Sequence, residues 1–388
     1  GLHYIPNVFQ KTFEYTKLLM DNTIIKENFI QCELWQSKLQ LFENKIVFPL
    51  FIYFDDYETG NVLGSHSGVN KLGAVYVSIP CFPPEFQSLT ENILLVQLFK
   101  SLDRKTVGNQ VFKIVIDELN YLHNVGININ CGQECRTIYF TIGLCIGDNL
   151  GLNSMLDFVE SFSATHFCRL CTMTKSECQI KCEEDQTQLR NVISYENHLH
   201  LNNPILTGIK KKSIWNEVIG FHVTENYSMD IMHDMLEGVC NYDLSLILKH
   251  FIYEIKLFSL TMLNSKIAAF DYGSETNIPP KINEDQLKKN NLKMSASEMM
   301  CFASLFGLMV GHLVPENHTY WQLYLTLCKI LDIILDKSVQ PQYEQLLKSL
   351  VYEHHYIYTV LLKQTLKPKH HNMIHYPLLV RMVGPLVH

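Results

Sequence analysis

The chain has 388 residues, room for two or three domains or for one large domain carrying an insertion. A content of 47% hydrophobic and 18% charged residues excludes a disordered tail, a peptide hormone and a single small binding module, and supplies a sizeable core. With 32 Lys+Arg against 39 Asp+Glu the net charge is −7, so any contact with nucleic acid has to use local basic patches.

Residues 3 to 43 place Phe9, Phe13, Leu18, Leu19 and Ile24 at helical spacing and read as a helical lead-in, 1–45. Ile46 to Phe54 is continuous, β-branched and aromatic and stops at Asp55-Asp56, which predicts a first core strand buried on both faces. The turn-rich stretch Gly60 to Gly68 and a second strand over Leu72 to Pro80 suggest an antiparallel meander. Glu91 to Asn124 reads as helix, with Leu94, Leu95, Leu98, Phe99 and Leu102 on one side, able to cross over the sheet. Thr137 to Gly147 is another apolar strand, ending in Asp148, and a helical pattern follows from Ser154 to Phe162. Beyond Cys182, long helical patterns at 228–262, 295–312, 319–336 and 342–364 form one all-helical block, separated by polar connectors.

The longest apolar runs fall well short of the ~20 residues that a bilayer span needs, so no membrane segment is expected. Gly1 to Gln10 shows neither an initiator Met nor a signal-peptide pattern, which reads as a fragment of a protein that is not secreted. Twelve Cys in a chain of this length are too sparse for a disulfide scaffold, and the close Cys-x2-Cys pair suits metal; both point to a reducing compartment, nucleus or cytosol.

Asp55 and Asp148, at the ends of two buried strands, would converge on one sheet edge, where paired carboxylates would hold Mg²⁺ or Mn²⁺. Only one of Asp55 and Asp56 can face such ions, because strand neighbours alternate. The simpler reading makes these acids solvent-facing strand terminators. Cys168 and Cys171 read either as two buried free thiols or as half of a tetrahedral zinc site, whose other half would come from Cys178 and Cys182 or from His370, His371 and His375. Asp230, His233, Asp234 and Glu237 fall at i, i+3, i+4 and i+7, a polar helix face that suits a metal site, an acid/base site or plain solvation. Lys210–Lys212, Lys288, Lys289 and Lys293, and Lys363, Lys367 and Lys369 could touch phosphates, with a solvated face as the default.

Taken together these segments resemble the transposases of the CACTA (En/Spm-like) group in their animal form. The resemblance runs from a first motif, Phe54-Asp-Asp-Tyr-Glu-Thr-Gly through to Gly73-Ala-Val-Tyr76, through Gly147-Asp-Asn-Leu-Gly-Leu-Asn153, Phe167-Cys-Arg-Leu-Cys171 and Met229-Asp-Ile-Met-His-Asp-Met-Leu-Glu-Gly238. It continues to Lys293-Met-Ser-Ala-Ser-Glu-Met299, Val314-Pro-Glu316 and Lys367-Pro-Lys-His-His-Asn-Met-Ile-His-Tyr-Pro377. It implies an α/β fold, an RNase H-like mixed sheet core (46–175, resumed at 366–388) interrupted by a large all-helical insertion (176–365). The implied reaction is metal-dependent DNA strand cleavage and strand transfer, in the nucleus, on transposon ends and target DNA; a homo-oligomer is compatible with it.

Carried over by position, Asp55 and Asp148 are the first two catalytic acids and ligands of Mg²⁺ or Mn²⁺, with Asp56 the fallback for the first. Cys168 and Cys171 resemble the zinc thiolates of the related Transib and V(D)J-recombinase cores, completed by His375 with His371 or His370. The Asp-x2-His signature maps onto Asp230 and His233, expected to support the core or a phosphate rather than the catalytic metal. The family's third catalytic residue, a Glu, is absent from the chain, which stops after Gly384-Pro-Leu-Val-His388, and neither Glu237 nor Glu316 sits at its position. On that reading the 388-residue piece is inactive as it stands. Two other readings remain open: a domesticated or degenerate transposon-derived, zinc-stapled DNA- or protein-binding module without catalysis, and an unrelated metal hydrolase using Asp230, His233 and Glu237.

Overall fold

The computed structural model describes residues 6–22, 24–58, 71–87, 89–131 and 134–386. The turn-rich stretch from Gly60, with the adjoining part of the first motif up to Asn70, lies outside them, as does His388.

The fold is mixed α/β, with one five-stranded sheet in the order β3-β2-β1-β5-β4. Its strands are β1 (Ile46–Glu58), β2 (Lys71–Ser78), β3 (Leu94–Lys100), β4 (Ile127–Cys131) and β5 (Glu134–Ile146). β1 runs antiparallel to β2 and parallel to β5, while β2/β3 and β4/β5 are antiparallel pairs. The apolar run of β1 sits at the centre of the sheet, where both faces are covered. On one side Phe48 packs against Phe9 and Phe13 of α1 (Pro6–Asp21). A register shift between Leu50 and Phe51 interrupts the alternation of β1, and Phe51 packs on Phe29, in the turn between α1 and α2 (Glu33–Leu39). Past the shift, Tyr53 and Asp55 share one face, and Phe54 and Asp56 the other. Phe54 packs there against Phe99 and Phe112.

Two expectations fail in this half of the chain. Leu94 to Lys100 is an edge strand rather than the start of a helix; after the single turn α3 (Pro84–Gln87), helix resumes only at α4 (Ser101–Val107) and α5 (Lys113–Asn124). The apolar run that fits a helix stripe also fits an edge strand, and pairing with β2 decides between them, leaving Leu95, Val96 and Leu98 about half exposed. The helix expected over Ser154 to Phe162 is instead α6 (Asn149–Met155), which starts at Asp148 and ends where Asp157 adopts a left-handed backbone, φ 64°. β4 was not anticipated. It follows Gly126, whose φ of 70° and position 2.6 Å from the Ile138 carbonyl oxygen, measured from where a Cβ would sit, leave no room for a side chain.

The rest of the chain is helical, with no named strand after β5 among the described residues. It comprises α7 (Lys175–Cys178), α8 (Val192–Leu201), α9 (Pro204–Thr207), α10 (Cys240–Lys249), α11 (Leu260–Ala269) and α12 (Glu284–Lys288). These are followed by α13 (Ala296–Val310), α14 (Thr319–Ile334), α15 (Tyr343–Tyr356), α16 (Pro368–Met373) and α17 (Tyr376–Val383). Ala296–Leu313 is long and apolar enough to cross a membrane by length and composition, yet Phe302, Ala303, Phe306 and Val310 are fully buried in the helical core. A single stretch of chain, Asn226 to Ser228, returns to the sheet. Tyr227 bridges Cys145 in parallel, and the Cys145 N–H donates to the Asn226 carbonyl at 2.8 Å.

Candidate metal centre

Cys168 and Cys171 lie in the loop after α6, held by the bridge between Cys171 and Leu189 and by the Arg190 side chain, whose Nε donates to both cysteine carbonyls, at 3.2 and 3.0 Å. Pro368 at the first turn of α16 begins the helix that carries His371, and His375 follows one turn later. The four donor atoms lie within 4.8 Å of one another, and all four residues are buried. Cys168 Sγ is 3.6 Å from His375 Nε2, and Cys171 Sγ is 3.3 Å from His371 Nε2. A tetrahedral zinc, with bonds of about 2.3 Å to sulfur and about 2.0–2.1 Å to nitrogen, separates neighbouring S and N by about 3.5 Å. The cluster can therefore hold a metal ion, its donor set suits zinc, and with no face open to solvent it is built for structure rather than turnover. Burial opposes a charged ring, but the Cys168 and Cys171 sulfurs outweigh it and raise His371 to about 9; the Cys168 sulfur with Glu184 likewise outweighs burial and raises His375 to about 9. In the absence of an ion the site draws protons, so metal and protons compete for it.

The open choices at this centre now close. Cys178 and Cys182 stand outside the cluster: Cys178 Sγ donates to the Met173 carbonyl, and Cys182 Sγ lies 3.8 Å from Thr359 Oγ1. His370 faces away and bonds Asp243 Oδ1 through Nε2 at 3.0 Å. The residue that spacing did not reveal is Glu184, whose Oε2 accepts from His375 Nδ1 at 2.5 Å and so fixes the ring with Nε2 toward the thiolates. A ligating histidine implies such an acceptor, but nothing in the spacing singles out this acid. Glu184→Gln should weaken zinc binding roughly 10- to 100-fold, measured by competition with a chromogenic chelator, while leaving the fold intact.

Behind His370 lies a second buried cluster. Asp243 of α10 takes His354 Nε2 on Oδ2 at 2.6 Å as well as His370 on Oδ1. His354 Nδ1 meets His355 Nδ1 at 3.1 Å, and His355 Nε2 donates to the His370 carbonyl. Because His370 Nδ1 accepts from the Lys367 N–H, its proton sits on Nε2. His355, with its proton on Nε2, offers only a lone pair toward His354, and the three rings and Asp243 form one buried hydrogen-bonded cluster.

The acids of the sheet edge sit as follows. The parallel ladder between β1 and β5 ends at Tyr53 and Ile146. Asp55 and Asp148 each lie two residues further on, at the same edge. β1 itself continues to Glu58, paired with β2, so Asp55 lies within a strand rather than at its end. Asp55 is exposed, whereas Asp148 is half-buried and caps α6 through the Gly151 N–H. Asp56 points to the opposite face, where it accepts from Ser101 Oγ at 2.6 Å and faces Arg104 at 3.7 Å. That excludes it as the fallback. Burial raises Tyr53 to about 12, helped by the charges of Asp55, Asp148 and Asp230, which all act on this one phenol.

Asp230 accepts from both the backbone N–H of His233, at 3.0 Å, and its Nδ1, at 2.5 Å. Of the polar face proposed for this segment, Asp230, His233 and Glu237 do adjoin, with His233 Nε2 3.8 Å from Glu237, but Asp234 does not belong to it. Met232–Val239 is a π-helical stretch, which changes the angular spacing, and Asp234 points inward. Asp234 accepts from Asn149 Nδ2 at 2.7 Å and Asn372 Nδ2 at 2.9 Å, and burial raises its carboxyl to about 7. Arg169, inside the Cys-x2-Cys loop, donates to Asn149 Oδ1 at 2.7 Å. A buried chain of hydrogen bonds thus runs from the thiolate loop to the residue beside Asp148 and on to the one beside His371. Of the basic clusters, Lys210 and Lys211 are neutralised by Glu160 and Asp157.

No protein-family model matches the chain, and no curated protein matches it.

Proposed function

We propose that the chain is the catalytic region of a nuclear DNA transposase of the CACTA (En/Spm-like) type, acting by metal-dependent strand cleavage and strand transfer. The observation that carries this reading is that Asp55, within β1, and Asp148, after β5, both lie two residues beyond the end of the parallel ladder between these strands, near the position of a site in an open α/β sheet. The antiparallel run β3-β2-β1 leading into parallel β5 supports an RNase H-like core, and the strandless stretch beyond Cys171 supports the helical insertion. The Cys2His2 centre would close that insertion as a zinc staple, with His371 about 200 residues downstream of Cys171.

Oxygen donors at a sheet edge fit hard cations such as Mg²⁺ or Mn²⁺, with Asp55 and Asp148 as their ligands. When bound, such ions supply neutralisation of charge at a phosphodiester and activation of the attacking oxygen. The chain's own contribution is positional. The Gly151 N–H fixes one oxygen of Asp148 and leaves the other free, and β1 carries Asp55 at the same end of the sheet.

The test is Mn²⁺-dependent nicking of supercoiled plasmid by the full-length gene product. Asp148→Asn should lower the rate by about 100-fold or more. A variant that cuts as fast as the wild type would overturn the reading. The Cys2His2 centre is complete and closed while Asp55 is exposed, which favours a second reading if the wild type binds DNA but never cuts it: a zinc-stapled binding module without catalysis.

A further inference from the structure

Asp148 and Asp230 line one cavity of about 410 Å³, together with Tyr53, Ser228, His233 and Leu236. None of the residues lining it is Lys or Arg. The contrast with the opposite face is direct: the cavity that holds Asp56, Asp157 and Glu160 is lined by Lys71, Arg104, Lys105, Lys210 and Lys211, so its acids are balanced internally. The charges of Asp55, Asp148 and Asp230 all act on the Tyr53 phenol, and the His233 ring bonds Asp230. Asp148 and Asp230 bring two carboxylates to one cavity without a lysine or arginine, while Asp55 lies at the same end of the sheet outside its lining, and positive charge from solution would balance them.

A second, independent observation points to a ligand. Ser228 is 2% exposed and lines the same cavity, yet its Oγ has no hydrogen-bond partner. A buried hydroxyl left unpaired costs about 1–3 kcal/mol, a cost relieved by an ion or its bound water. The backbone explains why Asp230 is there. Asn226 to Ser228 runs parallel to β5, with the Ser228 N–H donating to the Cys145 carbonyl at 3.3 Å. Asp230 follows this segment as Asp148 follows β5. Its two hydrogen bonds from His233 orient the carboxylate and still leave lone pairs on both oxygens.

We propose that Asp230 is the third carboxylate of the divalent-cation site at this edge, joining Asp55 and Asp148, with Ser228 Oγ facing the ion or its water. The assignment rests on the function proposed above and differs from the role that the family resemblance implies for Asp230, namely support of the core or of a phosphate. The site takes a hard divalent cation, Mg²⁺ or Mn²⁺, and forms from residues within this chain.

The experiment is a Mn²⁺ titration of the zinc-loaded chain, reading free Mn²⁺ by its electron paramagnetic resonance signal, so that no turnover is needed. Asp55→Asn, Asp148→Asn and Asp230→Asn should each weaken Mn²⁺ binding roughly tenfold or more, and Asp56→Asn should leave it unchanged. Asn at 230 retains an acceptor for the His233 N–H, and Asp230→Ser provides a second variant with the same capping ability; zinc content and circular dichroism verify folding. Weakening by Asp55→Asn and Asp148→Asn but not by either Asp230 variant would overturn the third carboxylate and leave the proposed function standing. Weakening by Asp148→Asn and Asp230→Asn alone would keep the third carboxylate and remove Asp55 from the site. Unchanged binding in all of them would overturn both.

Discussion

Replacing Cys168 or Cys171 with Ser should reduce bound zinc from about one ion per chain to a small fraction of that, and should lower Tm by roughly 10 °C or more. The expected size follows from the geometry. The donors come in two pairs separated by about 200 residues, so the ion ties the loop after α6 to α16 and restrains the whole stretch between them. A serine hydroxyl is a poor zinc ligand, and the remaining thiolate and two imidazoles would be left buried without the charge that they surround. Metal analysis by mass spectrometry and a thermal melt read the two effects. Cys182→Ser is the control, because its sulfur lies beside Thr359 and outside the cluster, and it should change neither quantity. Full zinc in Cys168→Ser, or its loss in Cys182→Ser, would show that the ligand set is wrong.

The second large effect is expected at Asp243. Asp243→Asn should cost about 3–5 kcal/mol in chemical denaturation, the range for breaking a buried ion pair from one side. Asn offers one acceptor where two are needed, and it leaves His354 without its carboxylate partner in a fully buried setting. Burial by itself would raise the Asp243 carboxyl; the charge of His354 and the hydrogen bonds from His354 and His370 outweigh that and hold it down to about 2. A folded-state value below the ordinary 3.8 means that the pair's contribution is complete above that value and is lost as pH falls toward 2. The wild type should therefore hold this part of its stability down to about pH 4, and the difference between wild type and Asp243→Asn should shrink as pH falls from about 4 toward 2. A constant difference across that range would contradict the pairing.

β1, β2 and β5 were legible because their apolar runs are continuous and end in turn or acidic residues. β3 was not, since Leu94, Leu95, Leu98 and Phe99 satisfy a helix stripe and a strand equally, and only the partner strand resolves the tie. At the metal centre, Cys168, Cys171 and His375 were legible from spacing, but the choice between His370 and His371 was not. Neighbours on a helix point about 100° apart, and which of the two faces the thiolates depends on Asp243, more than a hundred residues earlier in the chain. Glu184 and Arg169 were invisible for the same reason: their partners are set by tertiary contacts. The inward turn of Asp234 escaped notice because the periodicity assumed a regular α-helix, and the stretch is π-helical.

The hydrogen bonds that run from Arg169 through Asn149 to Asp234 and Asn372 have a consequence for both ion sites. Asn149 adjoins Asp148, Asn372 adjoins His371, and Arg169 sits between the two thiolates. If the proposed carboxylate site binds Mn²⁺ and these bonds couple it to the zinc centre, the coupling is reciprocal: to whatever extent zinc tightens the affinity of the edge for Mn²⁺, Mn²⁺ must tighten the affinity of the cysteines and histidines for zinc by the same factor. A cell that limits one metal would thereby also set the working affinity for the other.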